Sequence, residues 1–276
     1  MRVSTGSSRL PSTPQVATGY AEVGPLRMYH EIRGQGRDLV LLHGGGSTIE
    51  ATFERVLPLL SGHHRTIAIE QQGHGRTADL DRPFSFEQMA DDTAAVLRQL
   101  AIGRADVFGF GTGGSVAMQL AVRHPTVIRK LVLASTFVRS DGLVPELRQA
   151  FQRPAELAEL PPALRDAYLA IAPRPQDLQS QADKLRALMR EFRDWSADEL
   201  RRIRAPVLVM SGDQDVVTPE HALEMMRAFP HGQLMILPGL HGAYLGEAST
   251  PATSSRVPLL AASIIDEFLA APMPPA

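Results

Sequence analysis

The chain has 276 residues, of which 44% are hydrophobic and 21% are charged, and its formal net charge is −2. This composition is ordinary for a globular protein with a sizeable core, and it gives no sign of binding to nucleic acid or to a membrane surface. The absence of cysteine excludes disulfides, thiolate chemistry and cysteine-bound metals.

The N-terminal part of the chain predicts a flexible segment followed by strands. Residues 1–18 are rich in Ser, Thr and Pro and lack an apolar run, which argues against a signal peptide. No stretch approaches the roughly 18 apolar residues of a membrane span, so a cytoplasmic protein is expected by default. Gly24-Pro25 separates two short strands as a hairpin turn does, and "DLVLLHGGG" (38–46) is a buried strand that ends in glycines.

Buried strands then alternate with helices. Ser85 and Gln88 resemble a capping box at the start of a helix. The further predicted elements are strands at 66–69, 105–110, 129–135, 205–213 and 232–239 and helices at 112–123 and 257–270. This alternation predicts an α/β protein with a mostly parallel sheet that helices cover on both faces.

Residues 138–202 interrupt the alternation, because they contain helical patterns broken by prolines and no convincing strand. A helical insertion between two strands usually covers the C-terminal edge of the sheet, where open α/β sheets bind ligands. We therefore predict a helical cap at 138–202 on a core formed by 19–137 and 203–272. A peripheral helical bundle is the alternative.

Glycine-rich loops follow two of the strands. In "HGGG" (43–46), backbone N–H groups are free to point at a developing negative charge. In "GFGTGG" (109–114), a strand turns into a helix as in the G-x-S-x-G elbow of serine hydrolases, but Gly111 occupies the serine position. The same glycines fit a dinucleotide-binding G-x-G-x-x-G pattern. That alternative lacks the acidic residue expected about 20 positions later.

An acid and a histidine follow two later strands. Asp215 in "SGDQDVVTP" is placed to orient a histidine, whereas Asp213 is expected to hold the turn. His241 lies in the loop after the last strand. We expect His63, His64, His221 and His231 to be solvated, and His43 and His74 to hydrogen-bond their glycine turns. The order elbow, acid, histidine is that of one hydrolase fold, not of the chymotrypsin or subtilisin types.

With these motifs the chain resembles the α/β-hydrolase fold superfamily, in particular its small esterases, haloperoxidase-like proteins and C–C hydrolases. "HGGG", "GFGTGG", "GDQDVVTP" and "PGLHG" occur in the superfamily's order over about residues 20–270. The resemblance implies that Asp215 is the triad acid, that His241 is the general base, and that the N–H groups of Gly45 and Thr112 form the oxyanion hole. It places the nucleophile at Gly111, which has no side chain to attack with.

Three hypotheses about function follow. The chain is a hydrolase for an ester, lactone or related carbonyl bond whose serine nucleophile has been replaced by Gly111, through engineering or drift. Alternatively, His241 and Asp215 act as a general base in a cofactor-free hydrolysis, elimination or cyclisation, or the protein binds a small ligand without chemistry. A small hydrophobic substrate is expected, with no cofactor, metal, nucleic acid or membrane partner. The oligomeric state is left open.

Overall fold

A computed structural model describes residues 16–251 and 255–274. Most of the predicted N-terminal segment, residues 1–15, lies outside the described residues. Residues 17 and 18, which the prediction assigned to that segment, belong to the first strand.

In the described residues, eight strands form one sheet in the order β1-β2-β4-β3-β5-β6-β7-β8. The strands are β1 (Ala17–Val23), β2 (Leu26–Arg33), β3 (Arg37–Leu42), β4 (His64–Ile69), β5 (Ala105–Phe110), β6 (Ile128–Ala134), β7 (Val207–Gln214) and β8 (Gly232–Leu240). β1 and β2 form the predicted antiparallel hairpin, β2 pairs antiparallel with β4, and all other pairs are parallel. The predicted mostly parallel sheet is thereby confirmed.

Ten α-helices accompany the strands in the described part of the chain. They are α1 (Ile49–Phe53), α2 (Leu57–Leu60), α3 (Phe86–Gln99), α4 (Thr112–Arg123), α5 (Pro145–Phe151), α6 (Pro162–Ile171), α7 (Leu178–Arg190), α8 (Ala197–Arg201), α9 (Pro219–Ala228) and α10 (Val257–Ala270). Ser85 caps α3 by accepting a hydrogen bond from the Gln88 N–H at 3.3 Å. The reciprocal bond of a capping box is not formed, because the Gln88 side chain donates to Asp92 instead.

The central strands are buried on both faces, which explains their uninterrupted apolar sequences. In β3, Val40 and Leu42 pack with α3, α4 and α9 in one core cluster. Leu39 and Leu41 point to the opposite face and pack with α1, α2 and α10 in the second cluster. The sheet is therefore the middle layer of three, with helices packed on both of its faces.

The segment 138–202 contains α5 to α8 and none of the eight strands. Its helix α7 is bonded to the loop that follows β4. Lys184 forms a 2.7 Å ion pair with Asp79, and the Gln181 amide donates to the Gly73 carbonyl at 2.6 Å. These bonds hold α7 over the carboxyl ends of the strands. That 138–202 is a cap with its own boundaries remains a prediction.

Two of the histidines that were expected to be solvated are buried. His64 lies in β4 and bonds to Asp266 at 2.9 Å, and His221 accepts the Val138 N–H at 3.1 Å. The prediction was wrong because it judged both residues by local sequence alone. Their partners are 202 and 83 residues away along the chain.

Candidate active site

The glycine loop after β3 is held by two buried histidines. His43 donates from Nδ1 to the Gly44 carbonyl at 2.8 Å, and His74 accepts the Gly46 N–H on Nε2 at 3.0 Å. The Gly44 N–H bonds to the Thr52 hydroxyl at 3.4 Å. Among the described residues, the Gly45 N–H has no hydrogen-bond partner. The loop therefore leaves one backbone donor available at the predicted position.

Burial keeps both histidines neutral. It lowers the pKa of His43 to about 3, with a contribution from neighbouring His74, against the opposing effect of the Gly44 carbonyl. Burial also lowers the pKa of His74 to about 4. A neutral imidazole donates through one nitrogen and accepts through the other, as both rings do here.

The junction of β5 and α4 has the backbone of a nucleophile elbow. Gly111 has φ 54° and ψ −121°, a backbone conformation that residues other than glycine rarely adopt. A Cβ on Gly109 or Gly113 would lie 2.2 Å from a backbone oxygen, whereas a Cβ on Gly111 would meet only the Gly44 Cα, at 3.7 Å. Glycine is sterically required on either side of the elbow, but residue 111 has room for a side chain.

The start of α4 supplies a second free donor. The Gly111 N–H bonds to the Ala134 carbonyl at 2.9 Å, but the Thr112 N–H has no partner within the part of the chain that the structure describes. The first N–H groups of a helix lack intrahelical partners and carry a partial positive charge. Gly45 and Thr112 both border the same cavity. Their N–H groups suit an oxyanion.

Asp215 and His241 are brought together by the ends of β7 and β8. His241 Nδ1 donates to Asp215 Oδ1 at 2.7 Å, and the Asp215 side chain is fully buried while His241 is 33% exposed. The Phe110 ring packs against the imidazole at a centroid distance of 4.8 Å. Because Nδ1 carries the proton, Nε2 of the neutral ring is left with a lone pair that can accept one.

Asp213 has a different contact. Its Oδ1 accepts the Gly239 N–H at 2.8 Å, which ties the end of β7 to β8. The preference for Asp215 over Asp213 therefore agrees with the contacts of the two carboxylates.

Asp215 is surrounded by donors that the sequence reasoning missed. Oδ2 accepts bonds from the Ser135 hydroxyl, from the Ser211 hydroxyl at 3.3 Å and from the Gly212 N–H at 3.2 Å. Burial raises the pKa of Asp215, but the bond and charge of His241, with the Ser135 and Gly212 donors, bring it below its ordinary value. Asp215 is thus held as a carboxylate. No local motif marks Ser135, which is 80 residues away in the chain.

Gly111 and His241 line one cavity of about 330 Å³. Its floor also includes Gly45, Thr112 and Ser135. Apolar side chains of segment 138–202 form most of the roof: Leu143, Leu147, Phe151, Leu160, Leu164, Leu185 and Met189. An apolar cavity of this volume with a few polar groups is typical of a small-molecule site.

The fold and the arrangement of these residues are typical of an α/β hydrolase, and the comparison with known proteins agrees. The model of the alpha/beta hydrolase family matches residues 39–251, and the chain belongs to that family. The predicted fold and the resemblance to the superfamily are thereby confirmed.

Relatives within the family are hydrolases and esterases. The chain is 30% identical over 241 residues to 2-hydroxy-6-oxo-2,4-heptadienoate hydrolase of Pseudomonas putida, covering 75% of this chain and 82% of that protein. It is 28% identical over 253 residues to a pimeloyl-acyl-carrier-protein methyl ester esterase of Neisseria meningitidis, covering 80% and 92%. By this relationship the protein is an enzyme of the hydrolase type.

Solved structures share the fold at lower identity. A serine hydrolase involved in carbazole degradation superposes with a TM-score of 0.74 at 21% identity, covering 92% of this chain and 99% of that one. An esterase from Thermogutta terrifontis gives 0.69 at 23% identity, covering 92% and 98%.

Within residues 16–251 and 255–274, no helix is both long enough and apolar enough to cross a membrane.

Proposed function

We propose that the protein has the active site of a hydrolase for an ester, lactone or related carbonyl bond, and that Gly111 disables its covalent route. The observation that supports this most strongly is the bonded Asp215–His241 pair beside an elbow with nucleophile geometry. Two N–H groups that have no partner among residues 16–251 and 255–274 border the same cavity. Catalytic roles for Asp215, His241, Gly45 and Thr112 are part of the proposal.

In a serine hydrolase of this architecture, the serine hydroxyl attacks the carbonyl carbon while histidine removes its proton. The carbonyl oxygen gains negative charge, which two N–H donors stabilise. Here the N–H groups of Gly45 and Thr112 would hold that oxygen, and Asp215 would stabilise the protonated His241. Glycine has no atom that can attack, so no acyl-enzyme can form at residue 111.

The cavity and the relatives indicate the substrate class. Its apolar roof and volume of about 330 Å³ suit a small hydrophobic molecule. The names of the relatives include an oxo-dienoate hydrolase and a methyl ester esterase, so both take substrates that carry a carbonyl group. We therefore expect a small, largely apolar carbonyl compound.

A second mechanism is favoured by the open space at Gly111. The nearest atom to a Cβ there would be 3.7 Å away, and Gly111 and His241 line the same cavity, so this space can hold a water molecule. His241 would remove a proton from that water through Nε2 as the water oxygen attacks the carbonyl carbon. It would return the proton to the leaving alkoxide when the carbon–oxygen bond breaks, with Asp215 stabilising the charged imidazole in between. This route needs neither a serine nor a cofactor.

Hydrolysis of a panel of aryl and alkyl esters and lactones by the unaltered chain and by Gly111→Ser tests the proposal. Activity that appears only with the serine and disappears on adding His241→Ala supports the disabled covalent route. Activity of the unaltered chain that depends on His241 and does not improve with serine supports the water route. If neither protein turns over any substrate, yet both bind the compounds, the proposal fails, and the hypothesis of a protein that binds a small ligand without chemistry is supported instead.

The Gly111→Ala variant is the matched control. It adds the Cβ and the backbone restriction of serine without the hydroxyl. A gain of activity in Gly111→Ala equal to that in Gly111→Ser would contradict the assignment of residue 111 as the nucleophile position.

A further inference from the structure

Ser135 has an unusual backbone for a buried serine. It follows β6, is 2% exposed and has φ 48°. Ala101 is the other non-glycine residue with positive φ among those the structure describes. Glycine adopts such a conformation without strain, whereas other residues lose stability. The hydrogen bonds of the Ser135 hydroxyl can offset this strain.

Those interactions join the serine to Asp215 and Tyr244. The Ser135 hydroxyl donates to Asp215 Oδ2, and its oxygen lies 2.8 Å from the Tyr244 hydroxyl. Tyr244 is completely buried, and its other oxygen neighbour is the Met210 carbonyl at 3.4 Å. Each hydroxyl has one proton. Since the Ser135 proton goes to the carboxylate, the Tyr244 proton points to Ser135, the nearer of its two acceptors.

The result is a chain of donors from Tyr244 to Ser135 to Asp215. Hydrogen bonds in such a chain polarise and strengthen one another, most of all where the last acceptor is charged. The chain ends on Oδ2, and the other oxygen, Oδ1, accepts from His241. Two titratable groups face Asp215 in the described part of the chain. His241 lowers the pKa of Asp215, and burial, with the charge of Asp215, raises the pKa of Tyr244.

We propose that Ser135, supported by Tyr244, is a positioning residue that fixes the Asp215 carboxylate so that Oδ1 faces His241. This proposal rests on the proposed function, because the position of Asp215 matters for catalysis only if His241 acts as a base. Without the Ser135 bond, the carboxylate is less restrained about its Cβ–Cγ bond, and the bond to His241 weakens. Ser211 and Gly212 also donate to Oδ2, at 3.2–3.3 Å, and the Val217 N–H donates to Oδ1 at 3.3 Å. We expect them to replace the lost bond only in part.

The first test uses the chain as it is, with no need for turnover. Proton NMR measures how fast the His241 Nδ1 proton exchanges with water in Ser135→Gly and Tyr244→Phe. Glycine relieves the backbone strain at 135, so that variant is expected to fold. We expect exchange about tenfold faster in Ser135→Gly, the effect of losing one bond to a charged group, and a smaller increase in Tyr244→Phe.

Ala101→Gly is the matched control, because it relieves the same kind of strain away from the site. It should leave exchange unchanged. Unchanged exchange in Ser135→Gly as well would overturn the proposal and leave Ser135 with a purely structural role.

The second test adds Ser135→Gly to Gly111→Ser. We expect kcat to fall about tenfold with KM little changed, since the Ser135 hydroxyl is bonded to Asp215 and Tyr244 rather than offered to the cavity. A rise in KM alone would overturn the positioning role. If neither Gly111→Ser nor the unaltered chain hydrolyses any compound while the exchange effect is present, the proposed function fails and the positioning of Asp215 stands.

Discussion

Gly111→Ala measures the strain that a nucleophile side chain would experience in the elbow. The added Cβ lies 3.7 Å from its nearest neighbour, so the substitution creates no clash. The substitution is destabilising because residue 111 has φ 54° and ψ −121°, a sparsely populated conformation that costs about 1–3 kcal/mol for a residue other than glycine. Reduced freedom of the unfolded chain returns about 0.4–1 kcal/mol. We expect the free energy of unfolding to fall by roughly 1–2 kcal/mol.

Urea and thermal unfolding measure this loss. For a chain of this size, it corresponds to a fall in Tm of roughly 2–8 °C. Gly103→Ala is the control, because a Cβ at Gly103 meets nothing within 4 Å and the glycine does not have positive φ. It should be neutral or slightly stabilising. If Gly111→Ala is as stable as Gly103→Ala, the elbow is not strained at residue 111, and the comparison with a nucleophile elbow is refuted.

Three further predictions concern the site and its support. In the Gly111→Ser background, His241→Ala should lower kcat by at least about 10²-fold, measured with the best ester of the panel, and an equal rate in both proteins would remove His241 from the mechanism. In the same Gly111→Ser background, Leu164→Trp, which fills the cavity roof, should raise KM for large esters more than for acetate esters, and an unchanged KM for both would place the substrate outside this cavity. Between pH 7.5 and pH 5, unfolding free energy should fall about 2 kcal/mol more for the unaltered chain than for His74→Gln, as urea titrations measure. The pKa of His74 in the folded protein, about 4, is below its ordinary value of 6.5. Neutral His74 therefore contributes its full stability above pH 6.5, and this contribution is lost as the pH falls toward 4. An equal pH dependence in both proteins would contradict this prediction.

Most of the sheet could be predicted from the sequence because its signals are local. A buried parallel strand is an uninterrupted apolar run that ends in glycine or a polar loop, and "ADVFGF" gives β5 with the predicted bounds. Helix α4 also begins and ends as predicted, between the elbow and His124-Pro125. Boundaries were less accurate where the signal was mixed. β4 begins at His64 rather than Thr66, because pairing with β3 extends the strand through polar residues.

The candidate site was predictable only as far as motif order reaches. Chain order brought Asp215 and His241 into the same hypothesis, since loops after parallel strands meet at one edge of the sheet. Ser135 and Tyr244 were missed, because hydrogen bonds between residues that are 80 and 109 positions apart leave no pattern in the sequence. The depth and lining of the cavity depend on how α5, α6 and α7 pack, which apolar periodicity does not specify.

The features that remain around Gly111 favour catalysis over simple binding. Ser135 has a strained backbone at positive φ, Asp215 is removed from water, and the N–H groups of Gly45 and Thr112 have no partner among the residues that the structure describes. A protein that only enclosed a small apolar ligand would gain nothing from aligning these groups on one point. In the proposed hydrolytic transition state, all of them would act together: the N–H groups on the carbonyl oxygen, Asp215 on the protonated His241, and Ser135 on Asp215. Strain and desolvation concentrated at one point are most simply explained by that chemistry, whether its nucleophile is a lost serine or a water molecule.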